Sequence, residues 1–395
     1  MLYSNFKRII FFAISAMFSI GVNAQDDLWK LILTFSYNDE TGTASVSKCN
    51  DVAGTFTLEL PATVNNEEKT YTLTSIDSQV FSGKRLKKIT LPSTLVSIGQ
   101  NAFYACTRLE EIVIPASLTS FGPNAFYGTS MNSIKVEEGN PVFDSRDNCN
   151  AIIETATNTL LVGGPNTVIP NSVTTLGEYI NWQPYTPFGG CLNLESIVIP
   201  STVTQIIEYA FYGCSRLSSI VVEEGNPTYD SRNNCNAIIE TAKNTLIQGC
   251  RNTFIPTSVK KIGAYSFSYQ NQLTSIFIPA NITNIGSNAF EYCSGLTDIF
   301  VERTAPAEYN CNNNAFKRVN SEAVLHVPYG TLDVYKACAP WNQFTIVEYD
   351  PTNVEDIKIE NSGKKQNVYY DLEGRKVMKP IRGKIYIING KSIVY

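Results

Sequence analysis

Side chains able to do chemistry are sparse in this chain, and most of them come in copies. Glu137, Glu138 and Asp144 stand close to Arg146, and Glu223, Glu224 and Asp230 stand in the same order beside Arg232. Paired carboxylates could hydrolyse a glycosidic bond, one as acid and one as base or nucleophile. The same oxygens could hold Ca²⁺ weakly, as hard ligands. Duplication explains their recurrence without an active site, and adjacent glutamates before Gly-Asn-Pro read as a solvated loop. His326 is the sole histidine. It sits between Leu325 and Val327, which face inward together, so it is expected outward as an ordinary exposed strand residue. A Ser-His-Asp or Cys-His arrangement would need it, and no G-x-S-x-G surrounds any serine. No phosphate-binding glycine loop and no H-E-x-x-H is present. These readings leave no catalytic residue, no metal site and no cofactor. A hydrolase would need a clustered carboxylate pair in a cleft.

Aromatic side chains remain. Tyr104, Tyr127, Tyr212 and Tyr292 recur beside a repeated phenylalanine. Such residues pack over a corner of the fold or form a stripe that contacts a partner. Trp182 and Tyr185 lie in an insertion, residues 181–187, that has no counterpart elsewhere. They are the expected contact residues for a protein partner or a glycan.

What must position these groups is a repeat. Residues 109–125 read Leu-x-x-Ile-x-Ile-Pro, then x-x-Leu-x-x-Phe-Gly-x-x-Ala, and near-copies begin at Leu86, Leu194 and Leu273. Phe103 to Phe126, Phe188 to Phe211 and Phe267 to Phe290 are each 23 residues apart. A fixed period in the twenties marks a leucine-rich-repeat solenoid. Ile112 and Ile114 alternate, so both face one side of a short strand. Pro115 cannot donate to a ladder and ends it. Leu118, Phe121, Ala125 and Phe126 turn inward, and Gly122 is expected to permit the bend. One such turn cannot bury its apolar side; a stack can. The fold expected is a β-dominated leucine-rich-repeat solenoid of short parallel strands with a small C-terminal β-module. A longer copy overlies the repeat, since residues 133–179 match 219–265 at a constant offset of 86.

Composition adds boundaries. Lys7 and Arg8 precede an apolar run, and Val22-Asn23-Ala24 offers small residues at a cleavage site, so residues 1–24 read as a secretory signal peptide. The run is too short to span a membrane comfortably. Residues 25–70 read as an N-terminal β cap, 71–349 as the solenoid with its own C-terminal cap, and 350–395 as a small β-module. The net charge of −5 gives no basic footprint for nucleic acid or anionic lipid. Of ten cysteines, Cys106, Cys191, Cys214 and Cys293 each follow a repeat phenylalanine by three residues. One site repeated on successive turns places them inward, as buried free thiols rather than a disulfide framework.

The Leu-x-x-Ile-x-Ile-Pro and Ile-Gly-x-x-Ala-Phe-x-x-Cys pattern resembles the BspA-type leucine-rich repeats of bacterial surface proteins over about residues 71–348. The resemblance implies export, surface display and, for some members, adhesion to host matrix proteins or other cells. It brings no residue-level binding motif. Tyr369-Tyr370-Asp371-Leu372-Glu373-Gly374-Arg375, followed by residues 383–391, is similar to C-terminal modules of exported proteins from Bacteroides-type bacteria. That second likeness implies a sorting role in type IX secretion.

Overall fold

The computed structural model describes residues 28–180 and 182–349, and the backbone of the strands Tyr369–Tyr370, Lys376–Val377, Ile385–Ile388 and Lys391–Val394. The inferred signal peptide lies outside the described residues, as does most of the tail. The chain forms two compact units. One comprises Met1–Thr167 and Gly177–Cys191, the other Val168–Leu176 and Leu192–Tyr395.

In the first unit, the strands Phe56–Glu59, Leu86–Thr90, Glu111–Ile114 and Ser133–Val136 run parallel in one sheet. This ladder starts before the regular repeat text does. A second sheet joins the antiparallel hairpin Leu33–Asn38 and Thr43–Cys49 to Lys69–Ile76, Ser97–Ile98 and Ser120–Phe121. Each turn contributes a strand to both sheets and a phenylalanine between them. Phe81, Phe103 and Phe126 stack face to face, with centroids 5.2 and 5.4 Å apart. Aromatic stacking of this kind adds roughly 0.5–1.5 kcal/mol per pair beyond burial.

The second unit repeats the plan. Strands Ser275–Ile278, Asp298–Val301, Val324–Pro328 and Thr345–Tyr349 run parallel, and Phe267, Phe290 and Phe316 stack at 4.9 and 5.0 Å. Trp341, fully buried against Tyr309, Tyr335 and Phe316, closes the end behind the short helix Leu332–Lys336. In the tail, Tyr369–Tyr370 pairs antiparallel with Lys376–Val377, and Ile385–Ile388 with Lys391–Val394.

Gly122 has a different reason from the one the sequence suggests. Its φ is not positive, but a Cβ there would lie 2.4 Å from the Gln100 amide of the preceding turn. Close stacking demands the glycine. The left-handed backbone falls instead two residues before the repeat phenylalanine, at Asn101, Asn124 and Asn288 (φ 54 to 56°). Asparagine tolerates that region better than most residues.

Candidate functional site

Of the carboxylates singled out from the sequence, Glu137, Glu223, Asp144 and Asp230 are parts of the scaffold, and Glu138 and Glu224 are exposed. Glu137 Oε2 accepts the Ala116 amide at 3.0 Å, and Glu223 Oε2 accepts the Ser201 amide at 3.0 Å. Each caps the turn that follows a strand proline. The asparagine of the same block does more. The Asn140 amide donates to the Pro115 and Leu118 carbonyls, and its oxygen accepts the Val142 and Phe143 amides. Asn226 repeats all four bonds with Pro200, Val203, Thr228 and Tyr229. Asp144 pairs with Arg146, and Asp230 with Arg232. Burial acts to raise both carboxyls, but hydrogen bonds from the arginine and from Thr155 or Thr241 outweigh it and hold them below the ordinary range. Among the described residues, no group of three or more His, Cys, Asp or Glu is placed to hold a metal.

His326 departs from expectation. Its ring stacks on Phe300 at 4.2 Å and Nε2 bonds Asp298 at 2.8 Å, leaving the side chain 18 % exposed. A neighbouring strand supplies that cover, because Phe300 and His326 are register partners in a parallel pair. The cysteines do turn inward. Cys106 Sγ donates to Phe81 O at 2.9 Å and Cys293 Sγ to Phe267 O at 3.0 Å, and neither forms a disulfide. Burial pushes the Cys106 thiol up to about 12.

The two insertion aromatics part company. Trp182 is 94 % exposed, at φ 64° in the tip between the strands Glu178–Ile180 and Gln183–Tyr185. Tyr185 is buried, so its expected place on a contact surface is corrected. Its hydroxyl donates to Phe121 O at 3.0 Å, and its ring lies 6.0 Å from that of Phe121. Trp182 sits in the turn, whereas burial deepens along the returning strand from the exposed Gln183 to Tyr185, whose ring meets the turn of Phe121. Its hydroxyl finds a buried carbonyl to satisfy it.

The hairpin fills a gap. Between the turn of Phe126 and the turn of Phe188 the duplicated block inserts the strand Thr159–Gly163, whose last amide donates to Pro187 O at 2.8 Å. The space beside it, lined by Phe121, Asn124, Phe126, Leu161 and Val162, is reduced to about 20 Å³ by Tyr185 and Thr186. The second unit has the same arrangement without the hairpin. Gly249 donates to Ser266 O at 2.8 Å, and Gly263 runs through Ala264 and Tyr265 straight to Phe267. There the space is an open cleft of about 480 Å³ lined by Ile206, Tyr209, Phe211, Ile247 and Gln248, the positional equivalents of the five residues above.

Tyr209, Tyr212, Tyr229 and Tyr265 line that cleft, and ring contacts extend the cluster beyond the lining to Tyr269 and Tyr292. Tyr209 and Tyr265 lie 4.7 Å apart, Tyr212 and Tyr269 5.0 Å, and Tyr269 stacks on Tyr292 at 4.5 Å. The Arg318 guanidinium sits 4.9 Å from the Tyr292 ring centroid. Tyr209, Tyr265, Tyr269 and Tyr292 all have positive φ, from 55 to 68°. A bulky residue there is an outlier and costs of order 1–3 kcal/mol. Glu208, at the rim, has its carboxyl pushed up by burial. The opposite wall carries the ion pair Glu240–Lys243 at 2.8 Å. The sequence reading noted Tyr212 and Tyr292 but missed Tyr209 and Tyr265. The available signal was tyrosine two residues before Phe211 and Phe267, where other turns carry asparagine.

Stacked two-sheet turns with an aromatic core define a β-type leucine-rich-repeat scaffold. The repeat matches the model of the BspA type leucine rich repeat region in six copies, over residues 63–152 and 183–322. The chain belongs to the BspA-type leucine-rich-repeat family. No curated protein matches it. Among solved structures it is similar to a leucine rich cell surface protein from Faecalibacterium prausnitzii A2-165, at 20% identity and TM-score 0.43, covering 75% of this chain and 87% of that one. The pneumococcal vaccine antigen PcpA is 12% identical, with TM-score 0.36 and coverage of 80% and 98%. A leucine-rich repeat protein from Bacteroides ovatus is 20% identical, with TM-score 0.28 and coverage of 80% and 98%. The family assignment rests on the repeat match, and likenesses at these scores add nothing to it.

Proposed function

We propose that the chain is an exported, surface-displayed recognition protein that binds a host or microbial macromolecule and does no chemistry. One observation carries this reading: a tyrosine cluster with strained backbone at and beside an open cleft in the second unit, on a scaffold where Glu137, Glu223, Asp144 and Asp230 hold turns. Tyrosines are frequent anchors of interfaces, because a rigid ring buries much area and its hydroxyl remains satisfiable. Backbone strain at four of them is what a fold tolerates where the surface is used. Family membership supports display at the cell surface, and the inferred signal peptide supports export; no described helix is long and apolar enough to cross a membrane. The sorting role suggested for the tail belongs to this same proposal.

The partner is a protein in the first reading. Capture of glycans is the second, and the exposed Trp182 ring favours it as a stacking surface. The test is a pull-down with the full chain against immobilised matrix proteins and a glycan array. Binding to a protein that is lost on mutating the tyrosine cluster supports the reading. Binding to nothing on either panel overturns it.

A further inference from the structure

The two copies of the duplicated block differ in length at one place, and that difference names an occupant. In the first copy the space beside the inserted strand holds a β-strand of the chain's own, Gln183–Tyr185, with the Tyr185 ring inside and its hydroxyl on a main-chain carbonyl. In the second copy the seven extra residues are missing and the space stands open at about 480 Å³. That is within the range of ligand-binding clefts, roughly 300–1,000 Å³. We propose that the second cleft binds an extended polypeptide segment of a partner, bearing a tyrosine that enters as Tyr185 enters the first.

Several features favour a polypeptide over a sugar. The first copy shows that this cavity shape accepts a peptide strand, with Thr186 Oγ1 reaching Asn124 Oδ1 at 3.4 Å and the Pro187 carbonyl fixed by an amide. The cleft tyrosines meet at steep angles, 57° for Tyr209–Tyr265 and 73° for Tyr212–Tyr265. Rings so tilted do not align into one flat platform across which a pyranose could stack. Tyr209 stands where Asn124 stands in the filled copy, and Gln248 where Val162 does. Aromatic wall and polar floor replace what the hairpin covers elsewhere. The Glu208 carboxylate at the mouth adds an attraction for a basic residue flanking the incoming tyrosine.

This inference rests on the recognition reading and sharpens its partner. The probe is the chain's own hairpin as a free, fluorescently labelled decapeptide, EYINWQPYTP (residues 178–187), titrated with the full-length chain by anisotropy. Saturable binding is expected. It should weaken at least tenfold when the peptide's second tyrosine is alanine, and as much in the chain carrying Tyr209→Asn and Tyr265→Asn. Asparagine is the residue other turns place there, so that variant should keep its circular dichroism and melting temperature. Equal binding to the double variant, or no binding of the parent peptide up to about millimolar concentration, overturns the cleft proposal. So does binding of oligosaccharides that the peptide cannot displace from the cleft. The pull-down separates the two levels. Capture of a protein partner that survives Tyr209→Asn with Tyr265→Asn sinks the cleft and leaves the recognition reading standing. Capture of nothing at all sinks the recognition reading.

Discussion

Tyr209 and Tyr265 meet ring to ring at 4.7 Å, and each holds the left-handed backbone that asparagine holds in sister turns. A stability-driven sequence would place asparagine at both. The backbone cost of a bulky residue in this region is about 1–2 kcal/mol, and the ring contact returns about 0.5–1.5 kcal/mol. Tyr265→Asn alone should therefore leave stability unchanged or raise it by up to about 1 kcal/mol. Urea denaturation checks this. A loss above about 2 kcal/mol would mean that the tyrosines are structural and that their strain serves folding.

Asn140 and Asn226 give the opposite expectation. Each side chain makes four hydrogen bonds to main-chain groups of its own loop and of the preceding turn. At about 0.5–1.5 kcal/mol net per bond, Asn140→Ala should cost about 2–4 kcal/mol. Asn140→Asp should cost nearly as much, because its carboxylate would face the Pro115 and Leu118 carbonyls with no proton to donate. Chemical denaturation of the full chain measures both. A change under 1 kcal/mol would show that the loop satisfies those carbonyls in another way.

The repeat was open to reading because its determinants are local and periodic. Alternating branched residues, a strand-ending proline and a phenylalanine recurring at 23 residues in three pairs of turns specify the turn without reference to anything distant. The duplicated block was equally visible as text. Its consequence was not, since nothing in residues 181–187 says that they fold back into a gap between two turns. The exposure of Trp182 and the burial of Tyr185 follow from that folding back, and letters three apart cannot distinguish them. Gly122 shows the same limit. A glycine for a positive φ and a glycine for close stacking are the same letter, and only the 2.4 Å approach to Gln100 separates them. The tyrosines at positions 209 and 265 were readable in principle, as departures from the asparagine that Asn101, Asn124, Asn288 and Asn314 supply two residues before a repeat phenylalanine.

Burial sets an alkaline limit on stability. Cys106 and Cys235 have thiols pushed up to about 12, and Cys49 and Cys149 to about 11, against 9.0 in the unfolded chain, with desolvation the leading cause. A raised folded value means the folded state keeps its proton after the unfolded state has lost it. The resulting stability is fully present below pH 9 and declines as pH rises toward 11–12. The same thiols should resist iodoacetamide at pH 8 in native buffer and react fully in denaturant, because the thiolate is the nucleophile. Mass spectrometry of labelled peptides reads this out. Rapid native labelling of Cys106 would contradict its placement.

Acid acts through the paired aspartates. Asp144 and Asp230 are held below the ordinary carboxyl value of 3.8 by Arg146 and Arg232, against the opposing effect of burial. A depressed folded value contributes stability that is present above the unfolded pKa and lost as pH falls through the folded one. Melting temperature should therefore fall below about pH 4, the usual range for a free aspartate. Asp144→Asn with Asp230→Asn should lower the melting temperature at pH 7 and flatten its dependence between pH 4 and 2. The arginine would remain half-buried with a neutral partner, which accounts for the loss at neutral pH. An unchanged acid slope in the double variant would show that other carboxylates set the limit.

Trp182 separates recognition from folding most cleanly. A side chain 94 % exposed contributes almost nothing to the core, so Trp182→Ala should leave stability within about 0.5 kcal/mol of the parent. An exposed tryptophan at a hairpin tip is nonetheless the residue type most enriched among interface hot spots, where truncation costs about 2 kcal/mol or more. If the tip contributes to capture, Trp182→Ala should weaken binding roughly thirtyfold on the same array, with the melting curve superimposable on the parent's. The cleft and the tip are independent features, so their variants also tell apart two modes of recognition. Loss with the Tyr209 and Tyr265 variants alone points to the tyrosine cleft as the sole contact. Loss with Trp182→Ala alone, on glycans but not on proteins, would move the preferred reading from protein recognition to glycan capture.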